Sequence, residues 1–177
     1  MNTIIKTIVG CGVIFSAIAA YSKPSYGQQR FYCDETRLST VVNSHWGELP
    51  MIRWTDESFP PPYTPAERCR EVTARFNTFN NNGTLKYMSA GYMGNNPVIC
   101  VAGYEGGSCL PNGLLITLQQ GRDPNITLKR IIDRRVWATS GTVELTDNNP
   151  DGLISEVDGT VYVDVNTLLD GKEQNRF

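Results

Sequence analysis

The stretch TPAERCREVTARFNTF, residues 64–79, is the clearest structural signal in the chain, and the rest of the fold is arranged around it. Thr64 is a helix-capping residue, Pro65 suits the first helical position, and Glu67 completes a capping box for the first-turn N–H groups. Apolar side chains then recur at helical spacing, at Cys69, Val72, Phe76 and Phe79. The pattern predicts a helix from Pro65 to Asn80 that packs on one face of a sheet through this apolar stripe.

Short runs typical of strands lie on both sides of this helix. They are found at 30–33, 40–42, 49–55, 84–93, 97–104, 114–118 and 161–165. The run 98–102 is apolar on both faces, which favours a central strand. A second helix is predicted to begin at Asp123, because Pro124 follows it and an apolar stripe begins at Leu128. We therefore expect an α+β fold with an antiparallel sheet of about five to seven strands, two helices and disulfide staples.

Four cysteines remain when the N-terminus is set aside as an export signal: Cys33, Cys69, Cys100 and Cys109. An even set in an exported chain favours two disulfides, with three possible connectivities, and buried free thiols are the alternative. Cys69 and Cys100 fall in core segments, whereas Cys33 lies near the first strand and Cys109 in a glycine-rich loop at 103–112. We expect each bridge to join one core cysteine to one peripheral cysteine, which leaves two pairings open.

The first residues have the pattern of a signal peptide. Lys6 is followed by an apolar run at 7–20 that ends in a small-residue cleavage site at 17–19. A lipoprotein signal is the alternative, because residues 8–11 have the residue types that precede and include a lipid-modified cysteine. Only Thr7 separates these four residues from Lys6, so no apolar core would lie upstream of them. The predicted organisation is a signal peptide at 1–19, a flexible linker at 20–29, a single globular domain at 30–170 and a disordered tail at 171–177.

The charge balance limits the classes of partner. The chain has 16 Lys and Arg against 18 Asp and Glu, a formal net charge of −2, which argues against nucleic-acid binding. Three arginines lie off the apolar stripe of the first helix, which predicts a solvated face, with an anion site as the alternative: Arg68, Arg70 and Arg75. Basic residues also cluster on the second helix, at Lys129, Arg130, Arg134 and Arg135. This cluster predicts a solvated helix face, and contact with an anionic membrane surface or an acidic partner is the alternative.

Six short blocks carry a family resemblance and stand in order along the chain: LPMIRW at 49–54, YTP at 63–65, RCREV at 68–72, ARF at 74–76, PVICV at 97–101 and GLLITL at 113–118. In these blocks, from about 30 to 137, the chain resembles the circadian-oscillating-polypeptide domain family of cyanobacteria. A weaker echo lies at 161–165, and all four cysteines fall where the family has its own. The resemblance implies an exported or membrane-associated cyanobacterial protein of a family named for rhythmic abundance. We expect the periplasm or thylakoid lumen as its compartment, with peripheral membrane association as a possibility there. It supplies no reaction and no catalytic residues.

The segment DNNPDGLISEVD, residues 147–158, has the spacing of an EF-hand or dockerin-like calcium loop. The oxygen ligands would come from Asp147, Asn149, Asp151, Leu153 through its carbonyl, Ser155 and Asp158. Gly152 stands where such a loop turns sharply. Pro150, the final Asp in place of Glu and strand-like flanks weaken the match, and a polar turn is the alternative. A bound calcium ion here would be structural.

No catalytic or cofactor-binding residue is predicted. His45 is the only histidine, and hydrolases of the serine or cysteine type need a base that a third group orients. The proline run at 60–62 predicts a stiff connector, with a docking ligand as the alternative. The sequence thus predicts a non-catalytic interaction or structural protein with an unidentified protein partner or membrane surface, and a calcium-binding module is the alternative function.

Overall fold

The computed structural model describes residues 29–45, 47–140 and 152–171, with side chains described outside 133–140. In these ranges the chain forms eight strands and three helices. In order they are β1 (Phe31–Asp34), β2 (Ser39–Ser44), β3 (Gly47–Arg53), α1 (Pro65–Asn81), β4 (Tyr87–Met93), β5 (Asn96–Ala102), β6 (Cys109–Thr117), α2 (Pro124–Ser140), β7 (Ile154–Val157), β8 (Thr160–Asp164) and α3 (Val165–Asp170).

The strands form two antiparallel sheets, where the sequence predicted one. The smaller sheet has the order β1-β2-β3, and the larger has the order β6-β5-β4-β8-β7. β5 lies between two neighbours and is buried from Pro97 to Ala102, as its apolar run predicted. The α+β class with disulfide staples is confirmed.

The helices join the two sheets into one core. α1 contacts β1 and β2 of the smaller sheet and β6 of the larger, while α2 contacts β3 and also β4, β5 and β8. The predicted stripe of α1 faces this core: Cys69, Val72 and Phe76 are buried and Phe79 packs against the cluster half-buried. The rings of Phe31 and Phe76 stack with centroids 4.9 Å apart.

Each helix begins where the sequence supplies a cap. The Thr64 hydroxyl accepts from Glu67 N at 3.2 Å at the start of α1. The Asp123 carboxylate accepts from Ile126 N at 3.0 Å at the start of α2. These local hydrogen bonds explain why both predicted helix starts are confirmed.

Buried polar side chains tie α1 to the smaller sheet. Asn77 accepts from Phe31 N at 3.2 Å and donates to Phe31 O at 2.8 Å, so its amide serves as the missing neighbour of the edge strand β1. The Thr40 hydroxyl lies 3.1 Å from that of Thr73 and accepts from Trp54 Nε1 at 3.0 Å. Buried polar groups paired in this way fix one packing of the helix on the sheet.

Three details differ from the sequence predictions. Val165, placed in the last strand, is the first residue of α3, because the Asp164 carboxylate accepts from Thr167 N at 3.0 Å and caps a short helix. Cys109, placed in a loop, begins β6 and pairs with Ala102 of β5. The segment β7 is an additional strand, paired with β8, inside the range predicted to be a calcium loop.

The predicted signal peptide at 1–19 lies outside the described residues, as do 20–28 of the predicted linker and 172–177 of the predicted tail. None of the helices that are described is long and apolar enough to cross a membrane.

Candidate binding groove

A groove of about 310 Å³ opens where the end of β3, the connector into α1, α1 itself and β6 meet. We call it the Arg68 groove. Its lining combines three aromatic rings, two arginines and an apolar floor: Trp54, Phe59, Tyr63, Arg68, Glu71, Val72, Arg75, Leu114, Ile116 and Thr117. A concave surface of this size with a few convergent polar groups is the usual form of a binding site.

Arg68 lies against two of the rings. Its guanidinium carbon is 4.8 Å from the ring centroid of Trp54 and 3.9 Å from that of Phe59, which is cation–π geometry. Nη1 donates to the carbonyl oxygen of Asp56 at 3.4 Å. Burial lowers the pKa of Arg68 from its ordinary value, but a guanidinium stays protonated in proteins.

The local sequence holds this arrangement in place. Trp54 is 4 % exposed, and its hydrogen bond to Thr40 fixes the indole at the end of β3. Tyr63 N donates to Pro60 O at 3.1 Å, so the proline run turns back and brings Phe59 beside the first turn of α1. The predicted connector is therefore also one wall of the groove.

The other arginines of α1 have acidic partners. Arg70 forms salt bridges with Glu67 at 2.7 Å and Glu35 at 3.2 Å. Arg75 pairs with Glu71 at 3.4 Å and donates to Leu115 O at 3.2 Å. The Arg70 pairs are largely exposed and the Arg75 pair is half-buried, and both are structural contacts of modest energy.

Arg68 differs from them, because no salt bridge joins it to any residue in the described ranges. The nearby Asp56 carboxylate acts on it only at longer range. Hydrogen bonds from Ser58 lower the pKa of Asp56, so that carboxylate is ionised at neutral pH. The sequence assigned Arg68 to a solvated helix face. The structure places it half-buried, and the aromatic residues in WTDESFPPPY at 54–63 were the signal for this.

A second, more open cleft of about 590 Å³ continues from the Arg68 groove and shares Phe59 and Thr117 with it. We call it the Gln cleft, because amide side chains line much of it: Asn96, Gln119 and Gln120, together with Ser58 and Pro60. The Gln119 amide donates to the Ser58 hydroxyl, and Gln120 Nε2 donates to Asn96 Oδ1 at 2.9 Å. The two cavities together form a trough beside the end of β6.

The disulfides join Cys33 to Cys69 and Cys100 to Cys109. Each bridge pairs a core cysteine with a peripheral one, and the structure thereby selects one of the two pairings that the sequence left open. The first bridge links β1 to α1, and the second links β5 to the start of β6.

The outer face of the larger sheet carries another cleft, of about 400 Å³, beneath the loop at 103–108. The Tyr162 hydroxyl donates to Gly107 O at 3.1 Å and holds this loop on the sheet. Gly91 lies directly under the second disulfide, since a Cβ there would be 2.8 Å from Cys109 Sγ. The four cysteines thus have structural positions.

The predicted calcium ligands are described only in part. Asp147, Asn149 and Asp151 lie outside the described residues. The Leu153 carbonyl accepts from Asp164 N at 2.9 Å, and Ser155 lies in β7 opposite Tyr162. Asp158, at φ 48°, occupies the turn between β7 and β8. Calcium binding at 147–158 stays a prediction. The described part of this segment forms the β7 strand and the turn into β8.

The remaining residues singled out from the sequence have structural contacts. His45 N donates to Leu169 O at 2.8 Å, and Gly171 packs closely against its imidazole. On α2, Lys129 pairs with Glu156 at 2.8 Å, while Arg130 is exposed. The side chains of Arg134 and Arg135 lie outside the described part of the chain.

These features define an α+β domain of two sheets, stapled by two disulfides, with an aromatic- and arginine-lined groove where the sheets meet. The chain matches the family model described as circadian oscillating protein COP23 over residues 30–170, and it therefore belongs to that family. No curated protein and no solved structure matches it.

Proposed function

We propose that this protein is an exported, non-catalytic interaction protein of the periplasm or thylakoid lumen, and that it binds a protein partner through the Arg68 groove. The observation that carries the proposal is Arg68 itself. A half-buried guanidinium that is held against Trp54 and Phe59, with no salt bridge to any residue that the structure describes, is available to bind an anionic group of another molecule.

Further features support export and binding. Both disulfides suit an oxidising compartment, and the family is named for circadian oscillation rather than for a reaction. Aromatic and arginine side chains are the types that dominate binding energy at protein interfaces. Tyr63, at the rim of the groove, is 45 % exposed, which leaves its ring available for contact.

Photo-crosslinking in the native organism tests the proposal. A benzoylphenylalanine in place of Tyr63 is expected to give a discrete adduct in the exported fraction. Arg68→Gln should abolish the adduct, whereas Arg70→Gln, the same change at a paired arginine of the same helix, should leave it. The same crosslinker at Tyr104, which is 70 % exposed and outside the groove, controls for random contact.

Two results would contradict the proposal. An adduct that forms equally from Tyr63 and Tyr104, or that survives Arg68→Gln, would remove the groove as the binding surface. Recovery of the protein in the cytoplasmic fraction, with its disulfides reduced, would contradict export. Flotation with vesicles would instead support the alternative of a peripheral membrane protein.

A further inference from the structure

We infer that the Arg68 groove takes an extended peptide segment in which an Asp or Glu side chain neighbours a large apolar side chain. The carboxylate binds Arg68, the apolar side chain enters the groove, and the peptide backbone runs along β6. This inference rests on the proposed function and specifies the chemistry of its partner.

The charges of the site favour a carboxylate over a phosphate group. Arg68 and Arg75 are the cations that line the groove and Glu71 is the lining anion, while the Asp56 carboxylate lies nearby under the influence of both Arg68 and Arg122. Because Arg75 and Glu71 pair with each other, one cationic group is left, and Asp56 offsets part of its field. A singly charged carboxylate matches one planar guanidinium, whereas a phosphate monoester would add excess negative charge beside the two acidic residues.

The geometry of Arg68 fixes how the carboxylate approaches. Its guanidinium lies over the rings of Trp54 and Phe59, so aromatic faces cover it while its N–H edge stays available for hydrogen bonds. In the described residues the only acceptor on that edge is the carbonyl oxygen of Asp56, at 3.4 Å. A carboxylate that binds edge-on can form two parallel hydrogen bonds.

The floor of the groove accounts for the apolar neighbour. Val72 and Ile116 are 5 % and 4 % exposed, and with Leu114 they present aliphatic surface beneath the rings. A volume of about 310 Å³ accommodates one large side chain beside a carboxylate. Burial of that side chain supplies affinity, and the ion pair supplies selectivity.

The shape of the trough favours an extended chain over a compact ligand. The Gln cleft extends the groove past Phe59 and Thr117 and adds a volume of about 590 Å³. Its Asn and Gln side chains carry both donors and acceptors, which match the peptide groups of an extended backbone. A small molecule that filled the Arg68 groove would leave this continuation empty.

β6 offers backbone groups to such a chain. It is an edge strand, with β5 as its only strand neighbour in the described ranges. The Leu115 carbonyl points away from β5, since it accepts from Arg75 on α1. Leu115 stands at a register shift of β6, but Leu118 N donates to Pro97 O of β5 at 2.9 Å, so the neighbouring Thr117 directs its N–H and C=O to the open side of the strand. Edge pairing at Thr117 is the contact that an extended peptide makes in β-augmentation.

An array of β-prone octapeptides tests the inference on the full, disulfide-intact protein. Each peptide carries a central Asp beside Leu, and its matched partner differs only by Asn for Asp. We expect the Asp peptides to bind about tenfold more tightly, equivalent to about 1.4 kcal/mol. Arg68→Gln should remove this discrimination, whereas Arg70→Gln should retain it, and bound peptide should shift the NMR signal of the Thr117 amide.

The outcomes separate this inference from the proposed function. Equal binding of Asp and Asn peptides, binding of phosphoserine peptides alone, or no binding across the array would each overturn the peptide assignment. None of these results would affect crosslinking from Tyr63, which tests the groove without reference to its ligand. Conversely, Asp-selective binding that survives Arg68→Gln in a folded variant would place the carboxylate elsewhere and also overturn the inference.

Discussion

Removal of the disulfides one at a time should reveal unequal contributions to stability. The bridge between Cys33 and Cys69 spans a sequence separation of 36, and that between Cys100 and Cys109 spans 9. A crosslink stabilises mainly by restricting the unfolded chain, and the restriction grows with the length of the closed loop. Loop-closure entropy gives about 3.8 kcal/mol for the longer loop and about 2.6 kcal/mol for the shorter, a difference of about 1.2 kcal/mol.

The two bridges are well matched for this comparison. Each has one fully buried cysteine, Cys69 or Cys100, and one partly buried partner, so replacement by alanine removes similar packing from the folded state. Urea unfolding of the two double-alanine variants at 25 °C gives both free energies. The variant without the Cys33–Cys69 bridge, which closes the longer loop, should lose more free energy of unfolding. The free energy of both variants should fall more steeply with urea, because their unfolded chains expose more surface.

The opposite order, or equal losses, would refute the loop-length reasoning. It would mean that the shorter bridge stabilises the folded state directly, by holding the loop at 103–108 on the sheet. The variant that lacks both bridges should lose about 6.4 kcal/mol if the two act independently. Since the free energy of unfolding of a small domain is about 5–15 kcal/mol in total, that variant should be only marginally stable.

Three further changes have clear expectations. Asn77→Ala should lower the free energy of unfolding by about 2–5 kcal/mol, because both backbone groups of Phe31 lose a buried partner. Asn81→Ala, at an exposed site of the same helix, should lower it far less, and equal effects would contradict this reasoning. Gly91→Ala should lower the free energy of unfolding by about 1–3 kcal/mol in the oxidised protein, because the new methyl group would meet Cys109 Sγ. The loss should be smaller in a variant without the second disulfide, and unchanged stability in both forms would contradict the contact. If the loop at 147–158 binds calcium, saturating calcium should raise the midpoint of thermal unfolding and Asp147→Ala should abolish the rise, whereas identical melts in calcium and chelator would exclude the site.

Local signals account for the parts of the fold that the sequence predicted well. Both long helices begin at a capping residue followed by proline, so their starts depend on hydrogen bonds within one turn. The hairpin of β4 and β5 has its turn residues between two runs of strand-forming residues. Helix α3 was missed because its cap, Asp164, ends a strand of alternating valines, and the strand pattern continued through Val165.

The binding groove was mostly beyond the sequence. Arg68 was one of three arginines on the helix, and the aromatic residues at 54–63 indicated rings nearby but not which arginine they would cover. The groove exists because the proline connector turns back toward α1 and because β6 of the other sheet supplies the floor. Residues from four elements meet there, and only tertiary packing sets such distances.

Local features of the sequence predicted the α+β class, the two long helices, the apolar stripe of α1 and the division of the cysteines into core and peripheral members. These depend on periodicity, capping and composition, which act over a few neighbouring residues. Contacts between distant parts of the chain set the partition of the strands into two sheets, the pairing of the cysteines and the position of Arg68 between an indole and a phenyl ring. Sheet partition, disulfide pairing and the field around a charge are not local properties, because residues distant in the chain must first come together before any of them is defined.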